Sequence, residues 1–195
     1  ESVGCLHNDT LSIRDMKILD QADVVILNGA GLEDSMSHAL DAADSLQIDC
    51  SEGIPLLMSG HDHDHDHAHG DAPEADLDED HDTGHDEADH IGEDDHETEE
   101  GEPDPHIWMD PMRACRMLEN LARGLGELDP EHAALYTANA QAAGEKVSAA
   151  YQELKPLLDE LSCRGLITFH DGFPYFAEAF GLTILRSIEE EAGRE

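Results

Sequence analysis

Basic side chains are scarce in this sequence. Ten Lys and Arg residues face 47 Asp and Glu residues over 195 positions, which gives a formal net charge of −37. Nucleic acids and anionic membrane surfaces are contacted largely through Lys and Arg, so the composition excludes both as expected partners. An acidic chain is, by contrast, compatible with attracting cations.

Cysteine is also sparse, and its spacing argues against one class of metal site. The four cysteines are far apart and form no Cys-x-x-Cys pair: Cys5, Cys50, Cys115 and Cys163. A cysteine-type zinc site is therefore not expected. Lone buried thiols are the simplest interpretation, with a single disulfide left open.

Long hydrophobic runs and a leader are lacking as well. No stretch is long enough to span a membrane. The chain starts at Glu1 without a signal-like apolar stretch and stops at Glu195 without a closing element, so both ends are expected to be cut. The missing leader is for this reason not evidence for a cytoplasmic location.

A low-complexity stretch, residues 60–102, holds most of the histidines. Nine of the 14 histidines lie there, among acidic and small residues, and the stretch has no Lys, Arg or aromatic residue. Such a segment buries too little apolar surface to offset its ordering entropy, which predicts a disordered loop. It is either a solvated acidic insertion or a loose collector of divalent metal, and an expression tag is a weaker alternative. Neutral imidazole is a good zinc ligand, which favours the collector.

The remaining sequence alternates helical and strand patterns, which predicts an α/β protein with buried parallel strands. Helices are expected from Ser12 onward and over 33–46, 112–125, 129–161 and 173–180, with Pro156 ending or kinking the long one. Strands are expected at Val24–Leu27, 54–58, 166–169 and 182–185. Pro55 weakens the second of these predictions.

Residues 104–111, Asp-Pro-His-Ile-Trp-Met-Asp-Pro, form the most informative segment. Pro105 and Pro111 restrict their own φ angles and the conformation of the residue before each. Asp110 is a natural N-cap, and Pro111 suits the first helical position. His106 is therefore held on a stiff connector at the mouth of a helix, which suits a metal ligand, although a buried structural histidine has the same local pattern.

A second histidine stands where an α/β sheet places functional residues. The strand predicted at 166–169 leads directly into His170, and ligands bind beyond the carboxyl ends of such strands. Three imidazoles plus one oxygen donor would satisfy tetrahedral zinc, and each imidazole usually gives its second N–H to a carboxylate. Asp104 or Asp110 could serve His106, and Asp171 could serve His170. Spacing alone does not separate this site from a catalytic zinc centre.

These segments resemble the zinc-binding solute-binding proteins of ABC transporters. Residues 104–111 and 169–176 look like two signature blocks of that family, and residues 4–7, 15–17 and 22–33 are similar to its first block. The family often carries a His/Asp-rich loop before the second block, as here. The usual proline-rich stretch after the first histidine is replaced by residues 8–12.

The resemblance implies two parallel-sheet α/β lobes joined by a long rigid helix, with a metal ion in the cleft between them. The first lobe would be 1–128, including the loop 60–102, the connecting helix 129–161, and an incomplete second lobe 162–195. The implied Zn(II) ligands are His7, His106 and His170; manganese-binding relatives have a carboxylate at the last position. A fourth, carboxylate ligand is expected beyond Glu195.

The function implied by the resemblance is extracytoplasmic capture of Zn(II), in the periplasm or on a lipoprotein, and delivery to an ABC permease by a monomeric protein that is not an enzyme. One alternative is a zinc hydrolase that uses the same histidines with Asp171 as general base. No His-Glu-x-x-His segment supports it. A structural zinc site and a storage protein acting through the loop are the others.

Overall fold

A computed structural model of the chain describes residues 11–59 and 101–188. His7, Cys5 and nearly all of the predicted 60–102 loop lie outside these ranges. The described part contains five α-helices and four strands, and the strands form two separate two-stranded parallel sheets. Its helices include none that is both long and apolar enough to cross a bilayer.

The first sheet pairs β1 (Val24–Leu27) with β2 (Leu46–Asp49) in parallel. Helix α1 (Ile13–Leu19) precedes β1, and helix α2 (Ser37–Ala42) lies between the two strands. The helix expected from Ser12 onward is capped by Ser12 itself: Ser12 and Asp15 form a reciprocal capping box that satisfies two backbone N–H groups.

The predictions for residues 33–46 and 54–58 are wrong in part. The first range holds a 3₁₀ turn (Asp34–Met36) and α2. The helix ends at Ala42, Ala43 is extended, and β2 begins at Leu46. The second range contains no strand; Met58 makes one isolated antiparallel bridge, to Pro103. In β2 only Ile48 is buried.

Helix α3 (Pro111–Leu128) begins as predicted. The Asp110 carboxylate accepts hydrogen bonds from the backbone N–H groups of Met112 and Arg113, a cap that stabilises a helix by about 1 kcal/mol. At its far end α3 approaches β2 closely, since a Cβ placed on Gly124 would lie 2.8 Å from the Ile48 side chain. Helix α3 is thereby fixed against the first sheet.

Helix α4 (Ala133–Asp159) follows a 3₁₀ turn (Pro130–His132) and is the long helix predicted for 129–161. It continues through Pro156 without ending there. One face packs along α3, where Gly144 lies against the Cys115 sulfur. The other end packs against the second sheet through Tyr151 and Leu158.

The second sheet pairs β3 (Gly165–Thr168) with β4 (Thr183–Ser187) in parallel, with an irregularity between Leu166 and Ile167. Helix α5 (Pro174–Phe180) connects them and ends at Gly181, whose φ of 64° is left-handed. The hydrophobic core beside this sheet contains Ala177, Phe180 and Leu182. On the opposite face of the sheet, in the described part of the chain, Ile167 is 61% and Leu185 65% exposed.

Three cysteines lie in the described part of the chain, and all three are free thiols: Cys50, Cys115 and Cys163. Only Cys50 is buried, and that burial raises the pKa of its thiol. The expectation of buried thiols therefore applies to one of the three.

Candidate metal centre

His106 is held by the carboxylate of Asp104. Both side chains are buried, and the Asp104 Oδ1 atom accepts from the His106 backbone N–H at 2.8 Å and from its Nδ1 at 2.7 Å. Because a carboxylate only accepts, Nδ1 donates in this contact, and Nε2 is the ring nitrogen left for a metal ion. This is the carboxylate–histidine arrangement that orients metal-binding imidazoles.

The carboxyl end of the first sheet fixes the main chain on either side of this histidine. Asn28, directly after β1, donates from Nδ2 to the Pro105 carbonyl at 2.9 Å. The Glu33 carboxylate accepts from the backbone N–H groups of Asn28 and Gly29. A 3₁₀ turn (Ile107–Met109) then leads into the cap of α3. Hydrogen bonds before His106 and a 3₁₀ turn after it thus define the course of the connector.

His170 comes from the other sheet, two residues after β3 ends. Its Nε2 atom lies 3.2 Å from the Nε2 atom of His106, with the two rings edge to face. Two nitrogens that each lie about 2.0–2.1 Å from a tetrahedral zinc ion are about 3.3 Å apart. The separation therefore fits two ligands of one ion.

Gly172 allows the two rings to approach each other. A Cβ at this position would lie 2.8 Å from the Cδ2 atoms of both His106 and His170. The glycine has an ordinary negative φ, since it is not among the positive-φ glycines. Space rather than backbone conformation therefore requires glycine here.

The structure brings two of the predicted site residues together. Of the three expected ligands, His106 and His170 meet and His7 lies outside the described residues. Within residues 11–59 and 101–188, no group of three or more His, Cys, Asp or Glu side chains could hold a metal. The described pair thus offers two of the four donors that zinc takes.

The acidic neighbours take different roles. Asp104 supports His106, whereas Asp110 caps α3 and pairs with Arg113 at 2.8 Å. Asp171, the expected partner of His170, is exposed. Asp104 and Asp110 are both possible partners of His106 from the sequence, and in the structure the Asp104 carboxylate contacts the ring.

Two residues near the histidines were missed from the sequence. Asn28 had a usable signal, since it directly follows a buried strand. Tyr175 lies within the block 169–176, but the sequence pattern there indicates only an ordinary apolar helix residue. It is fully buried, and its hydroxyl contacts the segment that carries His106.

The family model and the related sequences that match this chain are all described as zinc-uptake or metal-binding proteins. The profile described as "ZnuA: Zinc-uptake complex component A periplasmic" matches residues 3–195. The "High-affinity zinc uptake system protein ZnuA" of Brucella abortus is 42% identical over 88 residues, which cover 45% of this chain and 26% of that protein. A "Putative metal-binding protein" of Treponema pallidum is 27% identical over 182 residues, 90% of this chain and 49% of that one.

Solved structures agree with the sequence comparison. A crystal structure of a ZnuA deletion mutant with zinc bound superposes with a TM-score of 0.71 at 26% identity, and covers 97% of this chain and 59% of that chain. The two-lobe α/β fold class expected from the sequence is confirmed by this likeness. The chain spans about half the length, or less, of the curated relatives given above.

Proposed function

This chain belongs to the ZnuA family of periplasmic zinc-uptake components, and we propose that it captures Zn(II) outside the cytoplasm, between its two lobes, and delivers the ion to the permease of an ABC transporter. The proposed ligands are His106, His170 and His7, with a carboxylate from a segment after residue 195. The proposed division is a first lobe 1–128, a connecting helix 129–161 and a second lobe from 162. The proposed working form is a monomer.

The separation of 3.2 Å between the two imidazole Nε2 atoms is the observation that carries the proposal. At this distance one ring nitrogen donates a proton to the other. Because the Nδ1–H of His106 donates to Asp104, the Nε2 atom of a neutral His106 accepts and the Nε2–H of His170 donates. A zinc ion bound by both Nε2 atoms would require the His170 proton to move from Nε2 to Nδ1, so that each ring binds as a neutral imidazole.

The origin of the two histidines supports delivery as well as capture. His106 lies beside the carboxyl end of the first sheet and His170 follows the second, so separation of the lobes would remove one ligand from the ion. An ion that loses a ligand binds less tightly, which gives a physical route to release at a permease.

The hydrolase alternative gains no support from the related proteins. They are named as uptake or metal-binding proteins, and family members of this kind capture solutes rather than convert them. Asp171, the general base of that alternative, is exposed.

X-ray absorption at the zinc edge tests the ligand set directly. The zinc-loaded chain should show a shell of nitrogen and oxygen atoms at about 2.0–2.1 Å. A sulfur shell at about 2.3 Å would place the ion on cysteine and contradict the proposal.

Removal of residues 60–101 is expected to lower the number of zinc ions bound and to leave the tightest one in place. The ends of the segment lie side by side, since the Ser59 N–H donates to the Glu102 carbonyl at 2.7 Å. An Asn-Gly turn can therefore rejoin them as a two-residue hairpin. Zinc titration with a chelator of known affinity measures both quantities. Loss of the tightest site would support the storage alternative instead.

A further inference from the structure

The hydroxyl of Tyr175 lies between two backbone segments of the first lobe. It accepts from the Leu57 N–H at 3.0 Å and donates to the Asp104 carbonyl at 2.8 Å. Tyr175 belongs to α5, beyond the connecting helix, and has no exposed surface. Burial raises the pKa of this phenol, which keeps its O–H as a donor.

The two contacted groups belong to one short antiparallel ladder. Asp104 N–H donates to the Leu57 carbonyl at 2.8 Å, and the Ser59 N–H donates to the Glu102 carbonyl. A complete pair at Leu57 and Asp104 would also include a bond from the Leu57 N–H to the Asp104 carbonyl. Tyr175 supplies that link with its hydroxyl, as donor to one strand and acceptor from the other.

The ring of Tyr175 is fixed as firmly as its hydroxyl. It packs in one core with Ile54 and Ile107, the residue after His106. The Arg113 guanidinium lies over the ring, with Cζ 4.8 Å from the centroid. Arg113 in turn donates to Asp110 at the start of α3, to Glu178 on α5 and to the Pro55 carbonyl.

These contacts connect both histidines to one buried side chain. The Asp104 residue whose carbonyl accepts from Tyr175 also holds the His106 ring, and α5 starts four residues after His170. We infer that Tyr175 is a positioning residue for the proposed zinc ion: its hydroxyl fixes Asp104, and through it His106, relative to the segment that carries His170. The inference rests on the proposed function of the histidine pair.

Loss of the hydroxyl alone leaves the Leu57 N–H and the Asp104 carbonyl without their bridging partner inside a buried site. The ladder end and the Asp104 carboxylate would then relax, and the two Nε2 atoms would no longer be held at ligand spacing. Since this hydroxyl acts through a residue that itself supports a ligand, we expect Tyr175→Phe to weaken zinc binding about 10-fold, the low end for such supporting partners.

The chain offers a matched control. Tyr151 on α4 also donates its hydroxyl to a main-chain carbonyl on α5, that of Ala179, at 3.2 Å. It packs in the core of the second sheet, away from Asp104. Tyr151→Phe therefore removes one comparable hydrogen bond between helices without touching the ligand support.

The experiment compares wild type, Tyr175→Phe and Tyr151→Phe by zinc competition, thermal melting and the visible spectrum of the Co(II)-loaded chain. We expect a lower melting temperature in both variants, with the larger loss in Tyr175→Phe, which loses two hydrogen bonds, but lower zinc affinity and an altered Co(II) spectrum only in Tyr175→Phe, because the spectrum reports ligand geometry. Wild-type affinity and spectrum in a folded Tyr175→Phe, or equal losses in Tyr151→Phe, would overturn the inference.

If Tyr175→Phe fails to fold, a second variant, Arg113→Lys, tests the same inference. Arg113→Lys keeps the charge but loses the planar fork that joins Asp110, Glu178 and Pro55 around the Tyr175 ring, and it should also weaken zinc binding with an altered Co(II) spectrum. An unchanged spectrum in that variant would overturn the inference. Zinc binding that is indifferent to His106 itself would refute the proposed function, a separate outcome.

Discussion

His106→Ala is expected to lower the zinc affinity of this chain at least ~10-fold, and His170→Ala should act similarly. Each change removes a nitrogen donor from the same ion, and loss of even a supporting partner of a ligand costs 10-fold or more. Competition against a chelator of known affinity measures the loss. The double variant should lose less than the sum of the two single losses, because the first substitution already disables the shared site.

His132 provides the control for this pair of substitutions. It too has an aspartate partner, with Nδ1 2.7 Å from the Asp129 carboxylate, but its side chain is 57% exposed at the start of the connecting helix. His132→Ala should leave zinc affinity unchanged. Wild-type affinity in both His106→Ala and His170→Ala, or an equal loss in His132→Ala, would contradict the proposed ligand assignment.

Local chemistry made the segment around His106 predictable. Two prolines and a capping aspartate restrict the backbone over 104–111 without help from distant residues. The helix start at Pro111 and the position of His170 beyond the carboxyl end of a strand follow from equally short patterns. The structure agrees with both, and the family comparison agrees with the α/β fold class.

Other features depend on contacts that a sequence pattern does not contain. Strand β2 was not predicted, since the helix expected over 33–46 includes its first residue; its pairing with β1 and its contact with Gly124 decide its state. The spacing of the two histidines and the role of Tyr175 arise from chain segments 64 and 71 positions apart. Such juxtapositions require the fold itself.

Gly172→Ala is expected to weaken zinc binding by ~10-fold or more while leaving the fold in place, because it disturbs both proposed ligands at once. The new methyl group would lie 2.8 Å from ring carbons of His106 and His170 and 2.9 Å from the His106 Nε2 atom. One ring or both must move away, and His106 is restrained by its bond to Asp104. The displacement therefore changes the distance between the two Nε2 atoms, which zinc binding requires.

Gly144→Ala is the matched control, since it adds the same methyl group where there is room. Its Cβ would lie 3.7 Å from the Cys115 sulfur, an ordinary contact, inside α4. Alanine in a helix interior should raise stability by roughly 0.5–1 kcal/mol, with zinc affinity unchanged. Zinc competition and thermal melting on both variants separate a local effect on the ligands from a general effect on folding. Unchanged affinity in Gly172→Ala would mean that zinc binding does not use the close approach of these two rings, and the proposed geometry of capture would be wrong.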